Sequence, residues 1–405
     1  MKPVATFKFA ASLAALAMLG PFAVDAYLPA FPNIAESLST SVENVQLTFF
    51  WYVIAFAVMN LLHGVVSDAI GRRPVLLFNF CVFIVASIGC IFSDDWQTLC
   101  MFRFLQGAAA GAGVVVAHAI SRDCFDGVVA QRMVSYGALT YAIAPALAPV
   151  VGGYLAVAFG WQSIFVFLLT YSVVVLFWIW RCLPETHPVE ARQLLSIVGL
   201  WQSYREVLFV PEFYFVTIIS SLNFAAGFLY IAASSAFVLD HLKLSQKGFA
   251  WLFFPLVLGN MCGAFLASRA NKDWHPFFAI KCGFRIMFVA AFCNVFVSFF
   301  IPAVLPWPVI PLFLYAVGCG MAAPSLIVLL FDAVPFLRGT ASSLRWFVQN
   351  MLLALVVVIA PWASANLRML SMTMFVMVCA SIFTWIVFSN RHQAGNGRGV
   401  GVTVT

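Results

Sequence analysis

Residues 45–92, VQLTFFWYVIAFAVMNLLHGVVSDAIGRRPVLLFNFCVFIVASIGCIF, set one acid and two arginines between two long apolar runs. Each run approaches the roughly 20 residues a helix needs to cross a hydrocarbon core about 30 Å thick, at about 1.5 Å per residue. Charges at 68–73 are expensive in hydrocarbon, so they mark a turn in water between two spanning helices. The same alternation runs down the chain. Of 405 residues, 63% are hydrophobic and 9% charged, and the mean hydropathy is +1.00. Water-soluble globular domains do not carry such a composition.

Twelve runs fit a span: 9–30, 45–67, 75–92, 97–119, 133–156, 161–182, 212–237, 248–268, 278–301, 307–331, 340–362 and 368–389. They are continuous, whereas barrel strands alternate apolar and polar residues, so the expected fold is an all-α membrane protein. Two six-helix bundles, 1–182 and 212–389, flank a polar linker at 183–211, and a glycine-rich tail at 390–405 is expected to be disordered. The linker carries prolines at both ends and a middle with helical periodicity, suited to a surface helix on the membrane. The first run also has the basic start and small residues of a secretory leader. Its near-spanning length, and the balance of the two halves, favour a first span.

The net charge is +6, and its distribution gives it a meaning. With the N-terminus inside, one face collects Lys2, Lys8, Arg72, Arg73, Arg122, Arg132, Arg181, Arg192, Arg205, Arg269, Lys272, Lys281, Arg338, Arg391 and Arg398, against Lys243, Lys247 and Arg368 on the other. That positive-inside bias predicts cytoplasmic termini and a cytoplasmic linker. The basicity therefore reports topology and not a nucleic-acid partner. Ten cysteines are scattered without a CxxC pair, which points to packing thiols and not to a metal or redox centre.

Three stretches carry a resemblance. Gly64, Asp68, Gly71, Arg72 and Arg73 look like the loop signature of the major facilitator superfamily, with Ala69 where an arginine is usual. RFLQG at 103–107 resembles the family's fourth-span arginine motif, and GALTYAIAPALAPVVGG at 137–153 its antiporter motif, with Pro145, Pro149, Gly152 and Gly153. DAYLPAFP at 25–32, WQSIF at 161–165 and LPET at 183–186 are similar to the bicyclomycin and chloramphenicol resistance branch of drug:proton antiporters. RGTASS at 338–343 is the main match in the second half.

The resemblance implies two bundles rocking about a midplane site, in the cytoplasmic (inner) membrane, as a monomer. It implies a proton gradient as the drive, with no cofactor, and the chain has no GxxxxGK[ST] loop for ATP. It also implies that Asp68 meets the N-terminus of the eleventh span near Gly339 when the transporter opens outward, satisfying free N–H groups there. Arg72 is placed to pair with Asp123 at the inner end of the fourth span. Such contacts gate only if they differ between states. Pro145, Pro149, Gly152 and Gly153 fit either a fixed kink or a hinge and seal.

Ionisable residues inside the membrane are functional candidates by default. Asp25 is expected about five residues from the outer end of the first span and Arg103 about six from that of the fourth, each roughly 8–9 Å deep. Equal depth allows a direct pair, either permanent or one in which Asp25 alternates between a proton and Arg103 or substrate. Arg285 and Arg345 read as structural residues that snorkel. His63 and His118 read as interfacial. Tyr27, Tyr52, Gln106, Asn223, Tyr230 and Tyr315 combine apolar bodies with polar groups and are candidate substrate contacts.

The leading expectation is a proton-coupled exporter of small, mostly apolar drugs or toxic compounds. Export of a physiological metabolite, such as a siderophore, amino acid or peptide, remains open beside it. An intramembrane enzyme would need a catalytic cluster such as HExxH or GxSxG, which the chain lacks. A sensor or scaffold would not require Asp25 and Arg103 inside the bundle.

Overall fold

The computed structural model describes residues 7–125, 144–192, 197–270, 276–334 and 336–399, with no strand among them. In chain order the helices are α1 (Phe7–Asp25), α2 (Phe31–Ser37), α3 (Val42–Ile70), α4 (Arg72–Ile91), α5 (Trp96–Cys124), α6 (Ala144–Phe159), α7 (Gln162–Cys182), α8 (Ile197–Leu208), α9 (Pro211–Ala232), α10 (Ala250–Ala270), α11 (Pro276–Phe300), α12 (Ile310–Ala333), α13 (Arg338–Ala363) and α14 (Leu367–Gly399). Eleven apolar segments among the described residues are long enough to cross a membrane. For the expected span at 133–156, residues 144 onward form the shorter apolar helix α6, and the preceding residues lie outside the described ones.

The first span departs from expectation. α1 stops at Asp25, a short 3-10 turn follows at Leu28–Ala30, and α2 carries the apolar segment on to Ser37. Pro29 has no N–H to offer the Asp25 carbonyl four residues earlier, so the α ladder breaks there. The whole segment, Ala11–Ser37, is 27 residues long, which sets Asp25 near its middle and not close to one end. The tail also differs. α14 continues to Gly399 where disorder was expected, since no proline after Arg391 interrupts the ladder.

Helix starts in water are capped by side chains. Ser41 accepts from Asn44 N at 3.3 Å at the start of α3. Asp95 accepts from the backbone N and hydroxyl of Thr98, each at 2.7 Å, at the start of α5. These bonds to the ionised form hold the Asp95 carboxyl below its ordinary range. In the linker, α8 buries Tyr204 and Val207 and leaves Trp201 exposed, consistent with an amphipathic surface helix.

The chain divides into two compact units. The first comprises Met1–Ser196, Ile231–Val257 and Leu353–Ser364, and the second Ile197–Tyr230, Leu258–Leu352 and Ala365–Thr405. In the first unit α5 lies at the centre, packed on α1, α3 and α4. In the second, α11 packs on α12 and α14. All ten cysteines are free, and only Cys90 and Cys124 are fully buried, so most thiols lie on or near helix surfaces.

The α3–α5 contact depends on the absence of a side chain at Gly107, where a Cβ would collide with the Tyr52 carbonyl oxygen. Backbone cannot yield as a flexible side chain does. Gly107→Val should therefore destabilise the folded chain by about 1–3 kcal/mol, visible as a lowered unfolding temperature of the detergent-purified protein. An unchanged melting curve would count against this close approach.

Candidate functional site

Arg103 lies on α5 and is wholly buried. Its guanidinium carbon sits 4.4 Å from the Tyr27 ring centroid and 4.3 Å from that of Tyr52, with Phe165 at 6.0 Å. Nη1 donates to Gln106 Oε1 at 2.9 Å, and Gln106 Nε2 donates to Ser87 Oγ at 2.8 Å. The Tyr27 hydroxyl bonds to Thr48 Oγ1 at 2.7 Å, and the Tyr52 hydroxyl donates to the Gly20 carbonyl at 3.3 Å. The rings are thus pinned by their hydroxyls, with their faces turned to the cation. Among the described residues, Nε and Nη2 of Arg103 have no hydrogen-bond partner.

That arrangement is energetically incomplete. Each cation–π contact is worth about 0.5–2 kcal/mol, while a buried ion retains a penalty of several kcal/mol after relaxation. A guanidinium has five N–H donors and is not deprotonated in proteins. Arg103 therefore keeps its charge and retains two nitrogens for an acceptor.

Asp25 does not supply that acceptor among the described contacts, so this structure does not hold the permanent form of the expected pair. The carboxyl is 5% exposed, yet it makes no ion pair or hydrogen bond among the described residues. The apolar segment runs on to Ser37, so Asp25 lies near its middle, whereas Arg103 is seven residues after the start of α5. Tyr27, two residues beyond Asp25, takes the place at the arginine. Gly152 of α6 abuts this break, since a Cβ there would meet the Ala26 carbonyl oxygen, and Gly153 faces Pro29 and the Gln246 carbonyl. Pro149 is buried and Pro145 half-buried on the same helix.

The six expected substrate contacts separate into distinct groups. Tyr27, Tyr52 and Gln106 gather around Arg103, as described. In the second unit, Tyr315 donates to the Asn223 carbonyl at 2.5 Å, and Ser381 donates to Asn223 Oδ1 at 2.6 Å. Asn294 donates to the Tyr230 hydroxyl at 2.7 Å. Asn223 Nδ2 is buried without a hydrogen-bond partner among the described residues. His63 is buried within the protein, with Nε2 and Asn79 Oδ1 3.1 Å apart.

At the other end of the first unit, Arg72 gathers the charged loop. It donates from Nε to Asp123 Oδ2 at 3.0 Å and from Nη1 to Ser67 Oγ at 2.7 Å, and it is ion-paired with Asp68. Asp68 is otherwise substantially exposed. Arg73 donates to the Trp180 carbonyl at 2.6 Å. Gly71 has φ +118°, a region that favours glycine, and a Cβ there would strike the Glu185 carboxylate. Gly64 is less constrained, since a Cβ would reach ordinary contact with Val115 at 3.8 Å.

Glu185 had no assigned role in the sequence reading. Its carboxylate accepts from Arg72 N at 3.0 Å and Arg73 N at 3.2 Å, the first two amides of α4, and from Thr186 N and His187 N at 2.9 Å each. It caps a helix from 113 residues away, and Thr186 Oγ1 adds a bond to Asp123 at 3.3 Å. The available signal was an acid directly after the sixth span, on the face where the positive end of α4 needs one.

A family model described as Major Facilitator Superfamily matches residues 13–358. An uncharacterized MFS-type transporter, YdgK, of Bacillus subtilis (strain 168) is 32% identical, covering 82% of this chain and 83% of its own length. A bicyclomycin resistance protein homolog of Haemophilus influenzae is 27% identical, covering 97% of this chain and 98% of its own. A crystal structure of a D-xylose-proton symporter superposes with a TM-score of 0.73 at 16% identity, covering 94% of this chain and 98% of that one.

Removing the remote cap should loosen the start of α4. Glu185→Ala is expected to cost about 1 kcal/mol and to speed amide exchange at residues 71–75, while Glu185→Gln, which keeps one carbonyl acceptor, should lie between. Equal exchange in all three proteins would remove the capping role.

Proposed function

The chain belongs to the major facilitator superfamily of membrane transporters, and from that premise we propose that it exports small, mostly apolar compounds in exchange for protons. The observation that carries the proposal is a buried Arg103 with two nitrogens unbonded among the described residues, together with a second buried ionisable group in the same unit, Asp25, which has no ion pair or hydrogen bond among the described residues. An unpaired ion in a low-dielectric site is costly. Arginine cannot shed its charge and aspartate can, so Asp25 is the member that takes up the proton. In the other state the deprotonated carboxylate, or an acceptor on the substrate, engages the free Nε and Nη2 of Arg103.

Tyr27, Tyr52 and Gln106 are assigned to holding Arg103 in place. Asn223, with its unspent Nδ2, is the residue of the second unit proposed to meet substrate, positioned by Tyr315, while Tyr230 is fixed through Asn294. The positive-inside bias places the termini and the Gly71 loop in the cytosol, with Asp68, Arg72, Arg73 and Asp123 as gate residues on that side. Pro145, Pro149, Gly152 and Gly153 form the seam beside Asp25 that limits proton leakage. The protein acts as a single chain in the inner membrane.

Bicyclomycin, named for the Haemophilus relative, is the first compound to try. In proteoliposomes holding a pH gradient, its addition should release protons through the wild type but not through Asp25→Asn, while that variant still inserts and folds. Arg103→Ala should lower transport at least tenfold. Transport by Asp25→Asn that still follows the imposed gradient would refute the assignment of the proton to Asp25.

A further inference from the structure

Gln46, in the first turns of α3, is 6% exposed and lies at the end of the first unit opposite Gly71. Its Nε2 donates to the Val357 carbonyl at 3.0 Å and to the Ala232 carbonyl at 3.4 Å. One amide nitrogen thus bridges two helices from the second half of the chain. Residue 361 is a proline inside α13, and proline has no N–H. Val357, four residues earlier, is therefore left without its regular donor. Ala232 is the last residue of α9, at the break before the π turn Ala236–His241.

Other ties at this end each join one pair of positions. Ser235 Oγ donates to the Leu28 carbonyl at 2.7 Å, Gln246 Nε2 donates to Asn33 Oδ1 at 2.6 Å, and His241 Nε2 lies 2.8 Å from the Ser364 carbonyl. Gln46 differs because it serves a carbonyl that α13 cannot satisfy by itself. In the closed arrangement that carbonyl is dry and needs the amide. In an open arrangement water can take its place.

We propose that Gln46 is a state-dependent clasp that holds α9 and α13 against α3 and thereby sets the balance between the closed and open forms of this end. The sign follows from an asymmetry. Removing the donor leaves a buried carbonyl unsatisfied in the closed form and costs little where water reaches it. An interaction confined to one state shifts an equilibrium, and one shared by both does not. The clasp rests on alternation between two states and not on the proton chemistry of Asp25.

The test is amide hydrogen exchange by mass spectrometry on the full chain in lipid nanodiscs, with neither substrate nor gradient. Gln46→Leu should raise exchange about fivefold in residues 228–245 and 353–366 and lower it at 64–74. Gln46→Met, which keeps the length of the side chain but has no donor, should do the same, which separates hydrogen bonding from packing. Pro361→Ala restores an N–H for the Val357 carbonyl, so Gln46→Leu in that background should produce a clearly smaller rise. Unchanged exchange, an equal rise at both ends, or a full-sized rise in the Pro361→Ala background would each overturn the clasp. Because the readout needs no transport, failure of the Asp25 assignment would leave this result standing.

Discussion

Hydrocarbon offers no hydrogen-bond partner, so each polar group carried into the membrane must be met from within the protein. That constraint makes the chain helical and sets the length of its segments. It also makes the exceptions informative. Where a proline removes a donor, as at Pro29 and Pro361, a carbonyl is set free, and the neighbouring structure must answer it. At Pro361 the answer is Gln46. At Pro29 the chain leaves the α ladder and steps through a 3-10 turn, which puts a break beside Asp25 near the middle of the first apolar segment.

Arg103 shows the same constraint in its costliest form. Two tyrosine faces and one glutamine surround it, and together they recover only part of what a buried guanidinium loses on leaving water. A permanently paired aspartate would compensate more fully, but it would also fix the site in one charge state. Separation of Asp25 from Arg103 leaves the acid able to change charge. That is what a coupling residue needs, because only a group whose interactions differ between states can bias them.

Most of the spans were legible because hydropathy is a local property, and charged turns such as 68–73 mark where the chain returns to water. Asp25 was misplaced because Pro29 and Pro32 look like the end of a helix, whereas the apolar segment resumes in α2. That it stands apart from Arg103 was not legible at all, since pairing depends on how helices rotate against one another. Tyr27 and Tyr52 were recognisable as amphipathic residues at useful depth, but sequence cannot tell a ring that faces a ligand from one that faces a cation. Glu185 stood in a quoted motif, yet its work as a cap for α4 requires the fold that brings residues 72 and 185 together.

The two ends of the first unit are built from different chemistry, and the difference bears on how they can move. At the Gly71 end, Arg72, Asp68, Asp123 and Glu185 are joined by charge-assisted bonds, which are about twice as strong as neutral ones. The network ties the start of α4 to α3, to the inner end of α5 and to the segment after α7. At the Gln46 end, beside the His241 imidazole on the Ser364 carbonyl, the ties are neutral amides, hydroxyls and carbonyls, whose exchange for water is nearly balanced. A charged network broken open would strand ions, whereas a neutral one can part and close at modest cost. The charged end is therefore the harder of the two to open, and the neutral end the easier.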